Sequence, residues 1–251
     1  MEAELIEYCT RLADTSLIAG QRLTEWCGHG PILEEDIALS NIALDLIGQS
    51  RLVYAHVSEL KKDGTSEDDI AFGRDANEFK NFLLAEQTNG DFGKTILRQY
   101  LISVYQYHQY TLLQQSTNQF LSAFAAKSLK EVTYHVRHSG EWVLRLGDGT
   151  DESHLRMQTA LNELWLFTDD LFDADQLETT LADKNIAANI AQIKDLWTKQ
   201  VTQLLTEATL TIPVAHNFLR KGSRKGIHTE QLGYILAEMQ FLYRAYPGAK
   251  W

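Results

Sequence analysis

The chain has 251 residues, with 23 Lys and Arg against 34 Asp and Glu, so its formal net charge is −11 at pH 7. This acidic balance argues against nucleic acid as a partner, because a phosphate backbone demands a basic protein face. An apolar fraction of 44% is enough for a substantial core and excludes a disordered or fibrous chain. Residues 32–212 contain no proline, which predicts an almost entirely α-helical protein.

The cysteines and the charge pattern predict a location for the chain. Cys9 and Cys27 fall within one predicted helix, about 27 Å apart, and cannot form a disulfide with each other. Without a cysteine framework or a basic-then-apolar leader, we expect the reducing cytoplasm. The longest uncharged stretch, 99–126, holds too many glutamines and tyrosines for lipid surroundings, so no membrane contact is expected.

Hydrophobic periodicity predicts helices that come in antiparallel pairs. The first pair covers about 3–27 and about 32–62, joined by the short turn that ends at Pro31. Residues 61–93 predict a long crossover on the surface that contains a short helical piece around 74–86. A second pair of helices follows over about 94–115 and 120–146. Three more helices are expected over 151–171, 189–210 and 229–246, with Asp151, Asn189 and Thr229 as their first or capping residues.

Two helical hairpins joined by a long crossover form the arrangement of a ferritin-like four-helix bundle. We therefore predict an all-α fold, with residues 1–251 as a single ferritin-like domain that carries additional C-terminal helices.

A ferritin-like bundle can hold a di-iron centre, so its ligand positions are the candidate site. Such a centre takes one Glu from each of two helices and a Glu-x-x-His from each of the other two. The helix over 120–146 offers Glu131, but Tyr134 stands where the histidine is needed. The helix over 32–62 offers Asp45 followed by Gly48, and the position opposite Glu131 on the neighbouring helix is Ser103.

These positions predict a bundle core that has replaced its metal ligands. No Asp or Glu occurs from residue 92 to residue 130, so the third long helix cannot supply an acidic ligand in any register. Iron needs several carboxylate and imidazole groups together. We therefore expect no catalytic residue, cofactor or metal in this chain. The alternative is a self-sufficient metal-dependent oxidase with an atypical site made of Asp45, Glu131, His135 and His108.

The uncharged part of the third long helix favours an interface with a partner. Tyr105, Tyr107 and Gln109 combine aromatic rings and polar tips, as buried interfaces often do. The alternative is that the C-terminal helices of the chain itself cover them. For His135 and His138, hydrogen-bonding histidines are favoured over a metal pair. The basic segment 220–226 is interpreted as a solvated loop, with contact to a phosphate or an acidic partner as the alternative.

Four stretches of the chain, 21–29, 41–51, 131–135 and 225–240, together with the end at Trp251, carry a family resemblance. They closely resemble the PaaC family, the ferritin-like companion subunits of bacterial phenylacetyl-CoA epoxidase, over essentially the whole chain. The resemblance implies a non-catalytic subunit of an oxidoreductase that has lost its iron ligands. Its homologous catalytic partner would carry the di-iron centre, and a reductase and small accessory subunits would complete the monooxygenase.

That family's complex adds one oxygen atom of O₂ across the aromatic ring of phenylacetyl-CoA in phenylacetate catabolism. Because the aromatic patch on the third long helix would be exposed in an isolated chain, we expect a homodimer when the chain is alone and a heteromer when the catalytic partner is present.

Overall fold

The computed structural model describes residues 2–213 and 220–249, and its regular structure is helical throughout these ranges. No β-strand occurs among them, which confirms the predicted all-α class. The α-helices, in chain order, are α1 Glu2–Thr24, α2 Leu33–Lys61, α3 Glu67–Phe72, α4 Phe92–Leu113, α5 Gln119–Gly147, α6 Asp151–Leu164, α7 Gln176–Asp183, α8 Ile190–Glu207, α9 Glu230–Met239 and α10 Phe241–Ala245.

The chain divides into two compact units. The first comprises the described residues of Met1–Thr88 and Gly222–Trp251, and the second those of Asn89–Lys221. Each unit contains one of the predicted helical hairpins, α1 with α2 in the first and α4 with α5 in the second. The ferritin-like arrangement of the two hairpins and the single domain over 1–251 stay predictions. Lys250 and Trp251 lie outside the described residues.

In the first unit, α1 and α2 pack closely along apolar faces. Ile18 and Leu23 of α1 and Leu46 of α2 are fully buried. A Cβ added to Gly20 would approach the backbone oxygen of Ala43 to 3.2 Å. A glycine at this position therefore lets the two helices approach each other closely.

The prediction that the crossover between the hairpins lies on the surface is wrong for its residues 79–86. After α3 and a 3₁₀ turn at Ala76–Glu78, most of the next eight residues are buried in the first unit, and Phe79, Leu84 and Glu86 are fully so. The physical reason is that this segment completes the core over α1. There the Arg22 guanidinium donates two hydrogen bonds, of 2.9 and 3.1 Å, to the carbonyl oxygen of Glu86.

In the second unit, α4 is the central helix. It packs against α5, α6 and α8. The indole nitrogen of Trp197 on α8 donates to the carbonyl oxygen of Leu101 at 2.9 Å. Asp91 caps α4 by accepting the Lys94 backbone N–H at 2.9 Å, which satisfies one of the free donors of the first turn.

Several predicted ends of the later helices differ from the structure. Thr150, rather than Asp151, caps α6, and this helix ends at Leu164, where a 3₁₀ segment Trp165–Phe172 begins. The Asn189 cap of α8 is confirmed, since its side chain accepts from the Gln192 N–H at 3.1 Å. The short helix α7 was not predicted, and the last predicted helix is interrupted between α9 and α10.

Within the described residues, no helix combines the length and the apolar character needed to cross a bilayer.

Candidate functional site

The structure places both expected histidine positions of the di-iron motifs on the outside of their helices. Gly48 is exposed, and Tyr134 is 38% exposed. The residues next to them, Gln49 and His135, are the buried ones. A shift of one residue rotates a side chain by about 100° around the helix. The register in which Gly48 and Tyr134 face the interior is therefore wrong.

The remaining degenerate positions differ in burial. Asp45 and Glu131 are half-buried, and each belongs to a different unit. The predicted four-helix bundle would bring these two carboxylates together at its centre, and this stays a prediction. Ser103 is fully buried on α4.

The core of the second unit contains buried polar side chains, Ser103 among them. The Gln99 amide donates to the Ser103 hydroxyl at 2.9 Å, and the Ser139 hydroxyl donates to the carbonyl oxygen of His135 at 2.6 Å. One imidazole among hydroxyls and an amide is not the carboxylate-rich set that two iron ions require. The residues of this core therefore do not fit a di-iron centre. In the parts of the chain that the structure describes, no three His, Cys, Asp or Glu side chains form a possible metal cluster.

The proposed interface residues on α4 have different surroundings. Tyr105 and Gln109 are buried within the chain, whereas Tyr107 is half-buried. The ring of Tyr105 lies 5.9 Å from the ring of Phe172, in the segment after α6. The interface prediction is therefore wrong for Tyr105 and Gln109, and the alternative, burial by later residues of the chain itself, applies to them. An interface at Tyr107 stays a prediction.

His108, a ligand of the alternative oxidase site, takes part in a hydrogen bond instead. Its Nε2 atom lies 2.8 Å from the side-chain oxygen of Gln200. Burial lowers the pKa of His108, and the hydrogen bond only partly opposes this effect. The neutral imidazole with its proton on Nε2 fits this geometry, because the amide oxygen can only accept.

The interpretation of the basic segment 220–226 as a solvated loop is wrong for part of the segment. Arg224 is buried, and its guanidinium lies 4.8 Å from the centre of the Phe82 ring in the first unit. Lys221 is exposed and pairs with the Asp173 carboxylate of the second unit at 3.2 Å. The buried cation packs on an aromatic face because a guanidinium is weakly hydrated and stacks well on such rings.

A buried ionic cluster around Glu86, which we call the Glu86 cluster (Glu86, His228, Thr229, Asn81), was not predicted. The Glu86 carboxylate is fully buried and lies 2.9 Å from Nδ1 of His228. It also accepts the Thr229 backbone N–H at 2.6 Å and the Asn81 amide at 3.0 Å. The cluster thus joins the crossover to the segment that leads into α9.

The surroundings of His228 favour its protonated form. Its second ring nitrogen, Nε2, lies 2.8 Å from the carbonyl oxygen of Phe79, so both nitrogens face groups that accept hydrogen bonds. Burial alone would lower the pKa of His228. The hydrogen bond to Glu86, the charge of Glu86 and the Phe79 carbonyl together outweigh burial and raise the pKa above its ordinary value.

A second buried ion pair fastens the crossover to α1. Asp14 is fully buried and accepts hydrogen bonds from Arg74, from the Tyr54 hydroxyl and, at 2.7 Å, from the backbone N–H of Lys80. Burial and the Asp14 charge raise the pKa of Tyr54 well above its ordinary value. Both clusters lie within the first unit and contain no reactive nucleophile in a cleft.

The comparisons with known proteins decide the family. A family model described as "Phenylacetic acid catabolic protein" matches residues 1–251. This chain belongs to that family. A 1,2-phenylacetyl-CoA epoxidase subunit from Escherichia coli (strain K12) is 46% identical over 248 residues, which cover 99% of each chain. The resemblance stated from the sequence is confirmed.

The Glu86 cluster joins two of the stretches that carry the resemblance to the phenylacetic acid catabolic protein family, 21–29 and 225–240. Arg22 donates to the carbonyl oxygen of Glu86, while His228 and Thr229 contact its carboxylate. No local pattern in the sequence connects these stretches to Glu86, because 64 positions separate it from Arg22 and 142 separate it from His228.

Proposed function

We propose that this chain is the non-catalytic structural subunit of a phenylacetyl-CoA epoxidase, in which it supports a homologous subunit that carries the di-iron centre. The observation that carries the proposal is the 46% identity to the E. coli epoxidase subunit over 99% of both chains. A match over the full length of both chains supports the same role better than a match to a single motif does.

The non-catalytic role is supported by the ligand positions. From residue 92 to residue 130 the sequence has no carboxylate, and α4 presents a buried serine at Ser103. The two histidine positions are a glycine and a tyrosine on exposed faces. In the part of the chain that the structure describes, these positions support a subunit that does not itself hold two iron ions.

A structural subunit acts by restricting motion in its partner. Catalytic ligands must be held within about 0.5 Å of their productive positions, so rigid support is part of the function of an active site. The first unit is suited to this role because two buried ionic clusters fasten its crossover to α1 and to the segment before α9. Binding to the folded partner also stabilises that partner by mass action.

The assembled enzyme that we propose includes the homologous catalytic subunit, a reductase and small accessory subunits in the cytoplasm, and it epoxidises the aromatic ring of phenylacetyl-CoA.

Co-purification tests this role. An affinity-tagged chain is expressed alone with added iron, or together with the homologous catalytic subunit from the same genome, and the iron in each eluate is measured. We expect the catalytic subunit to elute with the chain and stoichiometric iron to appear only in the joint preparation. Stoichiometric iron in the chain alone, together with oxidase activity, would favour the self-sufficient oxidase. Failure to co-elute would contradict the role of a companion subunit.

A further inference from the structure

A groove between α5 and α8 reaches down to α4 in the second unit. Its volume is about 300 Å³, and Tyr100 of α4, which is fully buried, lines its floor. An apolar cavity of about 150 Å³ is already enough to bind benzene. The groove can therefore hold a molecule with one aromatic ring and a substituent. We call it the Tyr100 groove, and the apolar side chains along its sides are Val136, Leu144 and Leu204.

The Tyr100 hydroxyl is buried without a hydrogen bond to the chain. Among the residues that the structure describes, none supplies a partner for this oxygen. A buried hydroxyl that stays unsatisfied is destabilising, and native proteins leave few such groups. The hydroxyl therefore calls for a partner that comes from outside the chain.

The hydroxyl end of the Tyr100 ring faces the groove. A Cβ placed on Gly140, a lining residue, would lie 3.2 Å from Cε2 of the ring, the atom next to the carbon that bears the hydroxyl. Burial and, after it, the charge of Glu207 raise the pKa of Tyr100, so the hydroxyl keeps its proton and the Glu207 carboxylate lies near it. Because the Tyr100 hydroxyl has no hydrogen bond to this described carboxylate, a gap separates the two groups.

This gap selects the polar group of a ligand. The Tyr100 hydroxyl has a proton to donate, and the Glu207 carboxylate can only accept. An alcohol hydroxyl satisfies both, since it accepts from Tyr100 and donates to Glu207. An ammonium group cannot accept, and a carbonyl oxygen cannot donate. The Gln203 amide donates to Oε1 of Glu207 at 2.9 Å, which holds the carboxylate in place.

The charges at the mouth of the groove exclude an anion. The carboxylates of Glu141 and Glu207 outnumber the single cation there, Arg137. A negatively charged ligand would therefore be repelled, whereas a neutral one meets no such barrier. Since the sides of the groove are apolar, the rest of the ligand must be apolar as well.

We infer that the Tyr100 groove is a binding site for a neutral alcohol whose apolar body is about the size of one aromatic ring. Tyr100 donates to the alcohol oxygen, the alcohol donates to Glu207, and Leu144 and Leu204 contact the ring. The inference goes beyond the proposed function, because it concerns a small-molecule site within this chain and requires no catalytic partner.

Nuclear magnetic resonance titration of the full chain with benzyl alcohol tests the site. The methyl signals of Val136, Leu144 and Leu204 should shift with saturation, while those of distant residues should stay unchanged. Toluene, which has the ring without the hydroxyl, should bind at least about fivefold more weakly, as expected for the loss of one hydrogen bond. Benzylamine and benzoate should also bind more weakly than benzyl alcohol.

The variant Tyr100→Phe tests the role of the hydroxyl. It should bind benzyl alcohol and toluene equally, because the donor is gone. Its melting temperature should not fall below that of the native chain, since the lost hydroxyl had no partner. Tyr110→Phe is the matched control, because Tyr110 is fully buried on the same helix but does not line the groove. This control should still prefer benzyl alcohol.

Any of four results would overturn the inference. The first is the absence of saturable shifts with benzyl alcohol, which would leave the gap to water alone. The second is equal or tighter binding of toluene, benzylamine or benzoate to the native chain. The third is a Tyr100→Phe variant that still prefers benzyl alcohol over toluene, and the fourth is a marked fall in its melting temperature. Because co-purification with the catalytic subunit is measured separately, each of these results leaves the proposed function intact.

Discussion

Replacing His228 by leucine should lower the free energy of unfolding, because the Glu86 carboxylate would stay buried without its cationic partner. The side chains of His228 and Glu86 are 5% and 0% exposed, and 2.9 Å separates their charged atoms. Removing one member of a buried ion pair typically costs about 3–5 kcal/mol. Glu86 would keep its hydrogen bonds from Thr229 and Asn81, so we expect about 3 kcal/mol, the lower end of that range.

The effect of this substitution should depend on pH. The pKa of His228 is raised above its ordinary value of 6.5. Its contribution to stability is therefore fully present below pH 6.5 and is lost as the pH rises through the raised pKa of the folded protein. The native chain and the His228→Leu variant should differ most in acid and less in alkaline solution.

Urea unfolding followed by far-ultraviolet circular dichroism at about pH 6 and about pH 9 measures both effects. His29→Leu, at an exposed histidine in the turn after α1, is the control and should change stability little. An unchanged unfolding midpoint in His228→Leu, or a difference from the native chain that is the same at both pH values, would refute the reasoning about a protonated, buried His228.

Four further substitutions have expected outcomes. Asp14→Leu should lower the free energy of unfolding by about 3–5 kcal/mol, because it leaves the Arg74 guanidinium without its buried carboxylate; urea unfolding measures it. Gly226→Ala should lower the free energy of unfolding by more than about 1 kcal/mol, since the φ of Gly226 is +70° and the new Cβ would lie 1.9 Å from a backbone oxygen. Gly48→Ala should instead raise the stability of α2 by up to about 1 kcal/mol, because its Cβ meets open space. Thermal melts compare the two variants. Tyr107→Glu should weaken binding of the homologous catalytic subunit by a few kcal/mol if this half-buried position is central to the interface, with unchanged helical content; pull-down and circular dichroism measure these two quantities.

Each of these expectations has a contrary result. If Asp14→Leu unfolds at the same urea concentration as the native chain, the ion pair with Arg74 makes no net contribution to the free energy of unfolding. Equal melting temperatures for the two alanine variants would contradict the steric argument at Gly226. Normal binding by Tyr107→Glu would place the interface away from α4.

The long helices were predictable because the signals that define them are local. Apolar spacing and short polar caps lie within a few residues of the backbone that they control. Predicted and observed ends of the four long helices therefore agree to within a few residues, as with 94–115 against Phe92–Leu113. The Asn189 cap was likewise predictable, because one side chain and one nearby N–H define it.

The buried crossover was not predictable by the same reasoning. Phe79, Phe82 and Leu83 have helical spacing, which predicts a short helical piece around 74–86, whereas the structure has a 3₁₀ turn at Ala76–Glu78 followed by irregular chain. They are buried because Asp14 and Arg22, more than 60 positions away in the chain, bond to this segment. The Glu86 cluster has the same origin, since 142 positions separate its two charged residues.

The candidate site was predictable in composition but not in orientation. Residue counting shows that α4 has no carboxylate, and this conclusion is independent of register. The inward direction of Gly48 and Tyr134 came from matching a motif, and an error of one residue turns a helical side chain by about 100°. Only the packed structure shows that Gln49 and His135 take the inner positions.

The most direct test of the central claim is epoxidation of phenylacetyl-CoA by a reconstituted complex. This chain carries the substitutions Asp45→Asn and Glu131→Gln, which remove the two carboxylates at the degenerate ligand positions, and it is combined with the homologous catalytic subunit, the accessory subunits and the reductase. A non-catalytic structural role predicts epoxidation within about twofold of the native complex, together with full loss of product when this chain is left out. Loss of epoxidation in the variant complex, with normal assembly and helical content, would contradict the account.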